Sequence, residues 1–237
     1  MARTVVLGVE TVRYTNLTTE SGAFTAAREE LRRAELDLAD QRERVAAMRR
    51  ALPEGPVVED YALLEGPVDL DDESDAGHPV RLSELFTGPG RPLVIYHLMF
   101  GKLQKTPCPM CTMWIDGFNG VARHVAQNAD LAVVAASELS ELRAHGRLRG
   151  WRNLLLLSAS DSTFKIDLGS EDAEGNQSSL ISVFTRSPDG TLRNSYSGSP
   201  SLSEDRNERG IDLLCATWNL LDLTPRGRGN WYASLDD

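Results

Sequence analysis

The stretch that decides the fold is Leu93–Phe118, "LVIYHLMFGKLQKTPCPMCTMWIDGF". Its first seven residues, Leu93 to Met99, form an apolar run of the length expected for a buried strand. A polar loop follows, and from Cys108 to about Gln127 the apolar residues recur at helical spacing. Two of the chain's three cysteines, Cys108 and Cys111, fall at the junction as C-x-x-C. A helix N-terminus carries unpaired N–H groups and about half a positive charge, which lowers the pKa of a thiol placed there. Cys108 is therefore the expected attacking thiol, with Lys102 and Lys105 adding positive charge nearby. Cys111 lies three residues on, on the same helical face, and is placed to resolve a mixed disulfide formed on Cys108. Pro109 suits the first helical turn, where its missing N–H costs nothing.

Downstream, the pattern alternates. Leu131–Ala136 reads as a second buried strand, Glu138–Leu148 as a helix and Leu154–Leu157 as a short strand. "ISVFTRSPDGTLRNSYS" (Ile181–Ser197) gives two strands around the Pro188-Asp189-Gly190 turn, and Gly210–Leu221 a closing amphipathic helix. The order β-α-β-α-β, hairpin, α predicts an α/β fold: a mixed central sheet with helices on both faces. A C-x-x-C pair at the end of the first strand of a β-α-β unit is the context of a thioredoxin-like redox site.

Upstream, residues 1–55 read as an N-terminal extension with a long amphipathic helix, and 56–237 as the thioredoxin-like domain. Phe24, Leu31, Leu38, Val45 and Leu52 recur every seven residues, with Ala27, Ala34 and Met48 three places on. Gln41 interrupts this seam, and Pro53, Gly55 and Pro56 end the helix. The seam suits packing on the helix's own domain or pairing in a homodimer. From Glu54 to Gly90 the chain is acidic and rich in Pro and Gly, with short strands and a small helix at Leu82–Phe86. The run "DLDDESDAGH" (Asp69–His78) lacks the glycine and terminal glutamate of a calcium loop and reads as solvated.

The 237 residues can bury a core without disulfides, so stability does not account for the cysteines. A net charge of −10 argues against nucleic acid, and the substrate expected is a small-molecule or protein thiol or disulfide. The start has only a five-residue apolar run, Val5 to Val9, without a cleavage site behind it, and no run approaches 18 apolar residues. A cytoplasmic protein without membrane contact is expected, and in that reducing setting a C-x-x-C pair is more often redox-active or metal-binding than a structural staple.

Rival readings stay open. Structural zinc needs four ligands, and Cys215 with His78, His97, His124 and His145 supplies no second pair at finger-like spacing. A copper or zinc site built from Cys108, Cys111 and His97 is a stronger alternative, because His97 ends the strand leading into the loop. His124 lies roughly 20 Å down the helix at about 1.5 Å per residue. Two inert buried thiols are the third reading, and Cys215, in the apolar "DLLCATWNLL", reads as a core thiol.

"VIYHLMFG", "CPMCTMWIDGFNG" and "RGIDLLCATWNLLDLTPRGR", preceded by "RRALPEGPVVEDYALLEGP", resemble a thioredoxin-like bacterial family catalogued as domain of unknown function 899 and labelled a dithiol-disulfide oxidoreductase. The likeness runs from about residue 24 to the C-terminus. It implies a thioredoxin-like domain with Cys108 and Cys111 as the redox pair and Trp114 and Asp116 as supporting neighbours. Those two residues suit structural roles equally well. "FTRSPDG" also resembles a peroxiredoxin turn, but a peroxidatic site wants a threonine three residues before its cysteine and Thr106 stands two before Cys108. The chain departs from the family with "GKLQKTP" before the cysteines and "WRNLLLLS" after the second helix. Thioredoxins also set a cis-proline against the thiols; no proline occurs here between Pro109 and Pro188, and Ser178 or Ser179 takes that place. Its loss favours metal access to the pair.

Overall fold

The fold is taken from a computed structural model, which describes residues 2–6, 9–13, 15, 17–72, 77–203 and 209–235, the first two segments by backbone alone. Part of the acidic run, residues 73–76, lies outside the described residues, as do residues 7–8 of the expected Val5–Val9 run. By its internal contacts the chain divides into two units, Met1–Pro53 and Glu54–Asp237.

In the first unit, strands β1 (Ala2–Val6) and β2 (Val9–Arg13) pair antiparallel, a hairpin that the sequence pattern did not suggest. Helix α1 (Gly22–Arg50) follows. Ser21 caps it, its Oγ accepting from the Phe24 N–H at 3.1 Å. Glu29 joins Arg32 and Arg33 on its surface. None of its residues is buried, and Phe24, Leu31, Leu38, Met48 and Leu52 of the seam are all more than half-exposed or close to it.

The second unit is built on a seven-stranded mixed sheet. Its strands are β3 (Ala62–Glu65), β4 (His78–Arg81), β5 (Leu93–His97), β6 (Asp130–Ala135), β7 (Leu155–Ser158), β8 (Leu180–Arg186) and β9 (Leu192–Gly198). They stand in the order β4-β3-β7-β6-β5-β8-β9. β5, β6 and β7 run parallel, joined through α2 (Pro109–Val125) and α3 (Leu139–Arg149), and β8 returns antiparallel beside β5. A 3-10 turn at Leu82–Leu85, helix α4 (Phe164–Asp167) and helix α5 (Ala216–Leu221) complete the unit. A parallel β-α-β unit whose first strand is flanked on its other edge by an antiparallel hairpin is the thioredoxin-like arrangement expected from the sequence.

Strand alternation divides the core in two. Tyr96, Val133, Ala135 and Leu156 face one side, where they meet Trp114, Ile115 and Phe118 of α2, Leu142 of α3 and Trp218 of α5. Leu93, Ile95, Ala132, Val134 and Leu157 face the other, against Leu82, Leu85, Phe86, Phe164 and Phe184. Because the order β5-β6-β7 steps in one direction, both crossovers put their helices on the same face. Burying Trp114, Ile115 and Phe118 fixes α2 on the sheet, at about 1.5–3 kcal/mol per large apolar side chain.

The expected closing helix is interrupted. Residues Asp212–Leu214 form a 3-10 turn, and Cys215 at φ −100°, ψ 99° leaves helical geometry to cap α5, its sulfur accepting from the Trp218 N–H at 3.4 Å. Gly210 is needed just before it, since a Cβ there would overlap the Ser199 carbonyl oxygen. No described helix is long and apolar enough to cross a membrane.

Candidate active site

β5 ends at His97, and the chain then turns through Leu98–Pro107 before α2 begins. Met99 controls that turn. Its carbonyl accepts from the Cys108 N–H at 3.0 Å, holding the first cysteine directly beyond the strand end. Cys108 is the N-cap of α2, at φ −61°, ψ 125°, with Pro109 at the first helical position. Its own carbonyl is taken by Thr112, through the backbone N–H and the Oγ1, each at 3.0 Å.

The two thiols differ sharply in surroundings. Cys108 is half-buried at the mouth of a cleft of about 260 Å³, which Cys111, Trp114, Ser178, Ser179 and Tyr232 also line. Apart from the thiols and Tyr232, no titratable side chain among the described residues lines it. Cys111 sits one turn deeper and is 1% exposed. Its pKa is pushed well up, first by its hydrogen bond to the Cys108 sulfur, then by burial and by negative charge on Cys108. Tyr96 and the Met99 backbone act in the other direction. No disulfide joins any of the three cysteines.

Tyr96 rises from β5 beneath the helix. Its hydroxyl is buried without a hydrogen-bond partner in good geometry, and burial followed by the charge of Cys111 holds its pKa well above the ordinary phenol value. It stays a neutral phenol beside the thiols. Trp114 packs edge-on against Trp218 at 5.5 Å and against Tyr96 at 6.0 Å, walling the cleft from the core. Ser178 and Ser179, just before β8, also line the cleft. No cis peptide occurs among the described residues.

The remaining candidates lie elsewhere. His97 follows Tyr96 on the strand, so its ring projects from the opposite face of the sheet. There it stacks on Phe164 at 5.3 Å, and its Nδ1 meets the Ser170 Oγ at 2.7 Å. Burial, then the charge of Lys165, pushes its pKa well down. The three-ligand metal site of Cys108, Cys111 and His97 is therefore not assembled, and no three His, Cys, Asp or Glu among the described residues gather as metal ligands. Asp116 points from α2 toward the end of α3, accepting from Arg149 at 2.6 Å and from the Trp151 indole at 2.7 Å. It does not line the cleft. Lys102 turns to Glu138 and Asp161, at 3.8 and 4.0 Å. Cys215 is a buried core thiol whose pKa burial raises.

Sequence reasoning missed Lys165. It lies in α4, is fully buried, and its Nζ donates to the Leu98 carbonyl at 2.9 Å, at the root of the cysteine loop. Burial pulls its pKa down to about 8, while negative charge on Cys111 and Glu171 acts in the other direction. "FKID" carries no motif that would have marked it.

This is a thioredoxin-like domain with a C-x-x-C pair at the start of the helix after its first parallel strand. The chain belongs to the family described as bacterial protein of unknown function (DUF899), whose model matches residues 14–236. No curated protein matches it. Among solved structures it is similar to reduced Prx3 from Vibrio vulnificus in complex with hydrogen peroxide, at 17% identity and TM-score 0.46, covering 69% of this chain and 99% of that one. AhpC from Enterococcus faecalis matches at 10% identity and TM-score 0.47, over 76% and 98% of the two chains. A putative thioredoxin reductase from Burkholderia cenocepacia matches at 16% identity and TM-score 0.48, over 70% and 97%.

Proposed function

We propose that the protein is a thiol-disulfide oxidoreductase in which Cys108 attacks a substrate disulfide and Cys111 resolves the product. The observation that carries this reading is the asymmetry of the pair. Cys108 reaches the cleft at a helix N-terminus, whereas Cys111 is buried one turn deeper with its thiol held protonated by Cys108 and by burial. Negative charge is accommodated on the outer sulfur, and the inner thiol supplies a hydrogen bond to it. When Cys108 enters a mixed disulfide, that charge is removed and Cys111 is released to attack.

The cleft favours a small disulfide, or an exposed loop of a protein disulfide, without selecting for charge. A reducing compartment such as the cytoplasm suits a dithiol that must be regenerated between turnovers. Trapping tests the assignment. Cys111→Ser, mixed with a small aromatic disulfide, is expected to accumulate a stable adduct on Cys108 by intact-mass spectrometry. Cys108→Ser is expected to form none at Cys111 over the same time. An adduct on Cys111 in the second variant, at the rate seen on Cys108 in the first, would reverse the roles.

A further inference from the structure

Lys165 is the one described lysine that is fully buried, and the Cys108/Cys111 chemistry above does not use it. Its Nζ binds the Leu98 carbonyl at 2.9 Å. That carbonyl belongs to the peptide group whose other end is the Met99 N–H, the backbone group that acts to lower the Cys111 pKa. The next carbonyl, that of Met99, takes the Cys108 N–H at 3.0 Å. One short length of backbone therefore links a buried ammonium to the inner thiol and holds the outer cysteine.

We propose that Lys165 is a positioning residue for the resolving step, its ammonium polarising the Leu98–Met99 peptide so that the Met99 N–H stabilises the Cys111 thiolate. The inference rests on the reading of Cys111 as the resolving thiol. Hydrogen bonds in series strengthen one another, and a cation at the carbonyl end makes the amide a better donor at the other. In the step served, the Cys111 sulfur attacks Cys108 in a mixed disulfide. The Cys108–Cys111 bond forms and the bond from Cys108 to the substrate sulfur breaks. The electron pair leaves on the substrate thiolate, which takes up the proton that Cys111 gives up. The substrate disulfide is reduced and the dithiol oxidised.

The titratable groups whose charges bear on Cys111 are Cys108, Tyr96 and Lys165, and those that bear on Lys165 are Cys111, Glu171 and His97. In the mixed disulfide Cys108 carries no charge, and burial keeps Tyr96 and His97 neutral. Lys165 is then the cation left to act on Cys111. With its pKa at about 8 it is charged through neutral pH.

A bis-nitrophenyl disulfide reads the two steps separately, since attack by Cys108 releases one coloured thiolate and attack by Cys111 the second. In Lys165→Met the first release is expected to keep its rate within about twofold. The second is expected to slow about tenfold, with its pH midpoint moved upward, as a one-unit rise in thiol pKa would require. Lys165→Gln, which keeps a donor for the Leu98 carbonyl but no charge, is expected to fall between Met and wild type, and it serves if the Met variant does not give a native circular dichroism spectrum. A second release with unchanged rate and midpoint in a folded variant overturns the proposal. Release of a single equivalent by the wild-type protein overturns the dithiol reading, and the role of Lys165 with it.

Discussion

Cys111 is 1% exposed while Cys108 opens on the cleft, so the two thiols differ in access before they differ in chemistry. Brief alkylation with iodoacetamide near neutral pH is expected to modify Cys108 and to leave Cys111 and Cys215 unmodified, with peptide mass mapping as the readout. Equal labelling of Cys111 would contradict its burial and its raised pKa. At this scale the place of the pair, between β5 and the start of α2, was legible, because an apolar run followed by helical spacing marks that junction. His97 was not, and the reason is strand parity. Neighbouring residues point to opposite faces, so Tyr96 and His97 cannot both meet α2. Only the side on which α2 crosses decides between them, and the sequence of β5 does not carry that information. Lys165 was hidden for a different reason: an isolated lysine in a short helix normally reads as solvent-facing.

Helix α2 carries groups with different duties at its start and at its middle. Its first turn presents the thiols, while Asp116 two turns on ties it to Arg149 and Trp151 at the end of α3. Asp116→Ala is expected to lower the unfolding free energy by about 1–3 kcal/mol, as for loss of a charge-assisted hydrogen-bond pair, measured by urea denaturation. Cys108 alkylation should keep its rate. A large loss of thiol reactivity with unchanged stability would instead make Asp116 part of the site. α4 makes a separate prediction. Lys165 has a folded pKa of about 8 against the ordinary 10.5, so folding opposes its charge, and the full cost is present below about pH 8. That cost fades as pH rises from 8 toward 10.5, where both states become neutral. The displacement corresponds to about 3 kcal/mol. Losing the charge-assisted bond to Leu98 costs about 1.5–3 kcal/mol, so Lys165→Met is expected to be more stable than wild type by at most about 1.5 kcal/mol at pH 7. The advantage should shrink toward pH 10.5; a pH-independent difference between the two proteins would show that the buried charge is not its cause.

The molecule as a whole is two units, and the second contains both apolar clusters and the cleft. A chain beginning at Glu54 is expected to keep the near-ultraviolet circular dichroism of its buried tryptophans and the two-step release from an aromatic disulfide; loss of both would show that the unit depends on residues 1–53. A mixed sheet with a parallel β-α-β part and a hairpin at Pro188-Asp189-Gly190 followed from the alternation of apolar runs and helical patterns, while the strand order, with β3 and β4 at one edge, did not. The N-terminal hairpin, the 3-10 turn before α5 and α4 were less legible, being short elements set by local backbone geometry rather than by a long apolar period. Peptide mapping of the wild-type protein after oxidation by a small disulfide tests the central claim most directly. The result expected is an intramolecular Cys108–Cys111 crosslink that dithiothreitol reverses, with Cys215 still a thiol. A lasting adduct on Cys108 with Cys111 unoxidised would contradict it.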